Sequence, residues 1–158
     1  MWGGWDDEKE ATRKKVADLF SVSEEEIALI HNTTEGMNLI ASSMALEPGD
    51  EVILADHEHS SAVVPWTIWQ ESKGVKLIRP ILPILPKDKE EIIAIFKAAI
   101  TPKTKVISIC HMVNTNGMML PIKEISILIV KYPSSKLPCL NAFSTKGIKK
   151  TLAECADI

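Results

Sequence analysis

Apolar positions in this chain alternate between two patterns, short continuous runs and stretches with helical spacing. Asp6 to Phe20 reads as a charged, exposed helix with Ala11, Val16 and Leu19 among its few apolar residues. Ser23 and Glu26 have capping-box spacing, which predicts a short turn or helix start. Ile27 to Ile30 is a brief apolar run, a candidate buried strand. From Thr34 a helix is predicted, because Met37, Ile40, Ala41 and Met44 recur at helical spacing. EPGD, Glu47 to Asp50, predicts a turn, and Val52 to Ala55 a second strand. Ser60 to Lys73 predicts a helix closed by Gly74, with Pro65 in its first turns or bending it. Val75 to Ile81 predicts a third strand. Pro80, Pro83 and Pro86 force an extended connection, read as a loop in preference to a proline-rich ligand for a partner. A helix follows from about Lys87 to Ile100, with Ile92, Ile93, Phe96 and Ala99 on one face. Lys105 to Cys110 predicts a fourth strand and Pro121 to Lys131 a last helix.

Strands and helices therefore alternate, and the strands are apolar on both faces. That is the pattern of an α/β fold, a mostly parallel sheet with covering helices. Its 158 residues make a single domain, with an N-terminal helical segment over 1–22. Parallel sheets of this kind bind ligands beyond the carboxyl ends of their strands. Three predicted strand ends carry polar clusters, HNTTE, DHEHSS and HMVNTNG, which should meet along one edge of the sheet.

Composition narrows the function only by exclusion. Apolar residues make up 46% and charged residues 25%, ordinary for a globular protein. A net charge of −3 and the lack of a basic stripe with interleaved aromatics give no case for nucleic acid. No apolar run approaches membrane-spanning length, and the first residues do not read as a secretory signal. Cys110, Cys139 and Cys155 are an odd count without CxxC spacing. This argues against a disulfide framework or zinc site and points to a reducing compartment, the cytoplasm.

Each polar cluster has two readings. Thr33 and Thr34 sit at a predicted helix start, where free N–H groups, the helix dipole and two hydroxyls make a phosphate cradle. Taken alone, this cluster reads as a plain N-cap at Thr34 in preference to the cradle. Asp56, His57, Glu58 and His59 combine carboxylate and imidazole, a weak metal pattern without a third ligand patch. His59 also offers a flat ring for stacking on a cofactor, while His57 reads as a solvated loop residue. Asn114 can donate a hydrogen bond to a ligand oxygen, or belong with Asn116 and Gly117 to an ordinary turn. His111 reads as a satisfied core or edge histidine in preference to a catalyst.

Taken in order, the clusters resemble the class V aminotransferase family, fold-type-I pyridoxal phosphate (PLP) enzymes. Cysteine desulfurases, selenocysteine lyases and isopenicillin N epimerase-like proteins belong to it. HNTTEGMNLIA resembles the family's GTTEGINLVA, and GDEVILADHEHSSAVVPW resembles its GDEV and EHHANIVPW segments. VISICHMVNTNGMMLPIKEI resembles its ITHVSNVLGTENPL. The likeness runs from about Glu8 to Lys131. It implies part of the PLP-binding large domain, with Thr33 and Thr34 on the phosphate, His59 stacked on the pyridine ring and Asn114 on its phenolic oxygen. It also implies a small amino acid substrate, handled through a PLP aldimine, and a homodimer.

The tail over 132–158 departs from the family. The family continues with DGAQ or DGAH, whose aspartate pairs with the pyridine nitrogen, and then HK, whose lysine forms the Schiff base. PCLNA occupies about the aspartate position without a carboxylate. LAECADI resembles the family's LGADF, which precedes HK, so the lysine is expected to be absent. Lys146, Lys149 and Lys150 lack an HK context and read as solvated. Neither Cys110 nor Cys139, the latter in a stretch read as irregular, fits the desulfurase nucleophile. The expectation is an N-terminal portion without a catalytic residue of its own and without turnover. Its isolated sheet should be marginally stable or self-associating, because an open apolar edge invites pairing. The alternative is a non-catalytic protein that binds phosphate ligands or pairs with a paralogue. A metal-dependent hydrolase using DHEH and His111 ranks last.

Overall fold

A computed structural model describes residues 4–130 and 139–140. Helix α1 (Gly4–Phe20) is followed by a 3-10 turn at Glu24–Glu26, then α2 (Thr33–Ser43), β1 (Glu51–Leu54) and α3 (Ser60–Lys73). After these come β2 (Lys76–Ile78), α4 (Lys89–Ala99), β3 (Thr104–Ser108), α5 (Ile122–Val130) and β4 (Cys139–Leu140). The four strands form one parallel sheet in the order β2-β1-β3-β4.

Local chemistry accounts for most boundaries. Ser23 and Glu26 form the anticipated capping box, with Ser23 Oγ accepting from the Glu25 N–H and Glu26 Oε2 from the Ser23 N–H. Asp88 caps α4, its Oδ1 accepting from the Glu91 N–H at 2.9 Å. Gly74 closes α3 at φ 69°, a left-handed conformation that favours glycine. Pro65 lies inside α3 and is buried, one turn deeper than the start of the helix.

Strand periodicity divides the core. Val52 and Leu54 face Ala41, Trp66, Val75 and Val106 under α2 and α3. Ile53, one residue over, faces Ile92, Phe96, Ile107 and Ile125 under α4 and α5. Both faces of β1 are thus sealed, as its unbroken apolar sequence requires.

Two expectations are corrected here. Ile27 to Ile30 is not a strand. Leu29 and Ile30 are 37% and 42% exposed, and the run leads into α2 without pairing. A four-residue apolar run carries no periodicity that separates a strand from a connection. Cys139, expected in an irregular stretch, lies in β4, where Ile107 pairs with Cys139 and Ser108 with Leu140. The rest of the 132–158 tail, with Lys146, Lys149, Lys150 and Cys155, lies outside the described residues.

The order of strands reverses at β1. The chain leaves β1 for β2 on one side, then returns to β3 on the other. Such a switch opens a crevice beyond the carboxyl ends of the two strands that diverge.

Candidate functional site

A cavity of about 310 Å³ lies at that crevice, and all three polar clusters reach it. Thr33 and Thr34 come from α2, His59 from the β1–α3 loop, and Asn114 from the loop after β3. Met37, Ala62 and Ile109 supply apolar wall, and Ser108, fully buried at the end of β3, a polar one. The volume is at the lower end of the range of roughly 300–1,000 Å³ typical of small-molecule pockets.

The α2 terminus leaves its donors where the cavity needs them. The cap is Asn32, two residues before the position anticipated for it at Thr34. Asn32 Oδ1 accepts from the Glu35 N–H at 2.9 Å, and its carbonyl accepts from the Gly36 N–H at 3.2 Å. Glu35 Oε2 in turn accepts from the His31 N–H at 2.7 Å, which pins the approach to the helix. That leaves the Thr33 and Thr34 N–H groups without an acceptor among the described residues. Both line the cavity, so the positive end of α2 opens into it.

His59 has a structural task that fixes its ring. It caps α3, its Nδ1 accepting from the Ser61 N–H at 3.2 Å and lying 2.8 Å from Ser61 Oγ. An accepting Nδ1 puts the ring proton on Nε2. Asn114 sits in a tight hairpin. The Val113 N–H donates to the Met118 carbonyl at 2.9 Å, the Gly117 N–H to the Val113 carbonyl at 2.8 Å, and Gly117 adopts φ 72°.

The DHEH segment lies in the connection between β1 and α3. Among the described residues no three His, Cys, Asp or Glu side chains gather in a way that would hold a metal ion. Its carboxylates bind backbone instead. Asp56 Oδ1 accepts from the Leu82 N–H at 3.0 Å, and Glu58 Oε1 from the Cys110 N–H at 2.7 Å. His57 is not the solvated side chain expected. It is only 20% exposed, and its Nε2 is buried without a hydrogen-bond partner among the described residues. From sequence, Glu58 stands out only as a candidate metal ligand. The signal that it faces the cavity lies in its place beyond β1, which no local pattern reveals.

Burial holds the Glu58 carboxyl above the ordinary value of 4.5. The Cys110 backbone N–H and thiol, Arg79 and His57 all pull it the other way, and less. The folded chain therefore holds this proton more tightly than the unfolded chain does. That stabilising contribution is complete below pH 4.5 and is lost as pH rises through the raised value. Across the acid-to-neutral range, urea unfolding should show wild type losing stability relative to Glu58→Gln, and a gain with rising pH would contradict this.

Cys110 is 9% exposed, and its thiol is pushed up to about 12 by burial first and by the charge of Glu58 second. It stays a thiol at neutral pH. Alkylation of Cys110 in the folded chain should be slower than in urea by on the order of a thousandfold, from thiolate content alone. Peptide mapping of the labelled cysteine checks this, and equal rates would refute it.

The aminotransferase class-V family model matches residues 5–135. The cysteine desulfurase of Serratia proteamaculans is 35% identical over 123 residues, which is 75% of this chain and 30% of that protein. The isopenicillin N epimerase of Streptomyces clavuligerus is 35% identical over 113 residues, 72% of this chain and 28% of that one. Among solved structures, the cystine C-S lyase C-DES in complex with cysteine persulfide superposes with a TM-score of 0.76 at 20% identity. That match covers 85% of this chain and 35% of C-DES. The cysteine desulfurase CsdA of Escherichia coli gives a TM-score of 0.69 at 26% identity, covering 82% of this chain and 33% of that one. The chain spans about 30% of the length of the curated relatives it matches.

Proposed function

Because the chain belongs to the class-V aminotransferase family, we propose that its cavity is the phosphate-and-ring portion of a PLP site. The activity in this reading is a PLP-dependent reaction on a small amino acid, such as the cysteine named for the desulfurases it resembles. The observation that carries the proposal is the pair of acceptor-free N–H groups at Thr33 and Thr34, open to the same cavity as His59 and Asn114.

The residues present fit the cofactor. A phosphate suits the α2 terminus, where two backbone donors, two hydroxyls and the helix dipole meet. A flat, partly apolar ring suits the space beside His59, whose orientation is held by its cap on α3. Asn114 would give or take a hydrogen bond at a ring oxygen. Met37 and Ala62 would help exclude water from a ring held in the cavity. PLP, when bound, supplies an electron sink for bonds broken beside the substrate's amino group.

None of the described residues lining the cavity is a lysine or an aspartate. The isolated chain should therefore bind PLP reversibly and not turn over amino acids. The homodimer of the family belongs to the same proposal. Equilibrium dialysis of the purified chain against PLP, with inorganic phosphate as competitor, tests the reading. Saturable binding displaced by phosphate supports it. No binding at millimolar PLP overturns it, whereas PLP-dependent turnover of cysteine or alanine overturns only the expected inactivity of the chain. Binding of phosphate esters in general, with no preference for PLP, would favour the non-catalytic alternative.

A further inference from the structure

The β1–α3 loop carries His59 and hangs over the switch point. Its two carboxylates hold it from opposite sides. Asp56 reaches toward the β2 side, accepting from the Leu82 N–H at 3.0 Å, while the Asp56 N–H donates to the Pro80 carbonyl at 3.3 Å. Glu58 reaches toward the β3 side and accepts from the Cys110 N–H at 2.7 Å. Leu54 and Ser108 are paired, so Glu58 and Cys110 lie just beyond the ends of adjacent strands. The Glu58 contact thus ties two residues of the cavity lining together beyond the point where β1 and β3 stop being tied by the sheet.

We infer that Glu58 is a positioning residue, whose carboxylate clamps the β1–α3 loop to the chain leaving β3 and so sets His59 and Asn114 around one ring. This rests on the proposed PLP reading for its ligand. Glu58 lines the cavity, but a backbone donor already engages its carboxylate, and a negative carboxylate would repel a phosphate. Its side chain serves the walls. His59 follows it directly, and the hairpin bearing Asn114 begins one residue after Cys110. Loss of the clamp unties the two walls from each other, His59 staying on its α3 cap while the hairpin bearing Asn114 is released. The α2 terminus is independent of it, because Thr33 and Thr34 are held by Asn32 and Glu35.

That independence makes the test selective. A merely structural role for Glu58 would weaken every ligand. A positioning role weakens the ring-bearing ligand and spares the one held by α2 alone. The full chain with Glu58, Glu58→Gln and Glu58→Ala is compared by equilibrium dialysis against PLP and against inorganic phosphate. Hydrogen exchange of the Ile109–Asn114 peptide is followed without ligand. Glu58→Ala should weaken PLP about tenfold, the size of one lost charged hydrogen bond, and leave phosphate within about twofold. Glu58→Gln keeps a carbonyl acceptor and should restore PLP binding. Exchange of the peptide should quicken about tenfold in the alanine variant and not in the glutamine variant. Equal loss of both ligands, no loss of PLP, or failure of glutamine to rescue would overturn the inference. If wild type binds no PLP, the proposed function falls, and exchange still decides the clamp, since unchanged protection in Glu58→Ala refutes it.

Discussion

Replacing Thr33 by proline should leave the fold intact and weaken phosphate binding about a hundredfold. Thr33 is the first residue of α2, where proline is favoured because its missing N–H has no helical acceptor to lose. Asn32 before it is extended, at φ −166° and ψ 170°, which is the conformation a following proline demands. The change therefore removes one N–H and one hydroxyl from the cavity at no cost to the helix. Each is a donor to an anion worth about 1.5–3 kcal/mol, and two together reach about a hundredfold. Thr34→Ala, which deletes only a hydroxyl, should cost about tenfold. Dialysis against phosphate and PLP reads both, and urea unfolding confirms that the domain persists. Undiminished phosphate binding by a folded Thr33→Pro chain would end the cradle interpretation.

The largest effect on stability should come from Phe96→Ala. Phe96 is fully buried between α4 and the sheet, among Ile53, Ile92, Ile107 and Ile125. Deleting its ring leaves a cavity that well-packed neighbours fill only in part, at a cost of about 3–5 kcal/mol. Small domains hold about 5–15 kcal/mol in all, so the variant should unfold at a clearly lower urea concentration. Trp66 gives an internal contrast. It is as deeply buried on the other face, yet its Nε1 has no partner among the described residues. Trp66→Phe loses volume but relieves an unsatisfied donor, a relief of about 1–3 kcal/mol, and the two effects should nearly cancel. Equal losses in the two variants, measured by urea unfolding, would show that the unpaired indole costs nothing.

Elements that depend on neighbours in sequence were legible before the fold was known. The Ser23–Glu26 box, Gly74 after α3 and the apolar face of α4 all follow from spacing and backbone preference. The central strands were legible too, because a strand sealed on both faces must be apolar throughout. Ile27 to Ile30 misled for the same reason in reverse, being apolar without a partner strand. β4 was missed because two paired residues owe their conformation to β3 and not to their own sequence.

The candidate site divides along the same line. Thr33, Thr34, His59 and Asn114 stood out from sequence because each follows an apolar run in a polar cluster, and order and spacing along the chain tie them to one family. Their functions in the architecture did not. That Asn32 rather than Thr34 takes the cap, and so frees the threonine donors, depends on backbone geometry at one residue. That Asp56 and Glu58 hold a loop, where a metal had been the chemical alternative, depends on which strands flank β1. Residue chemistry and local spacing determined the elements and the kind of ligand they suit. Only the parallel sheet, by reversing its strand order at β1, decided which distant backbone N–H each carboxylate would meet.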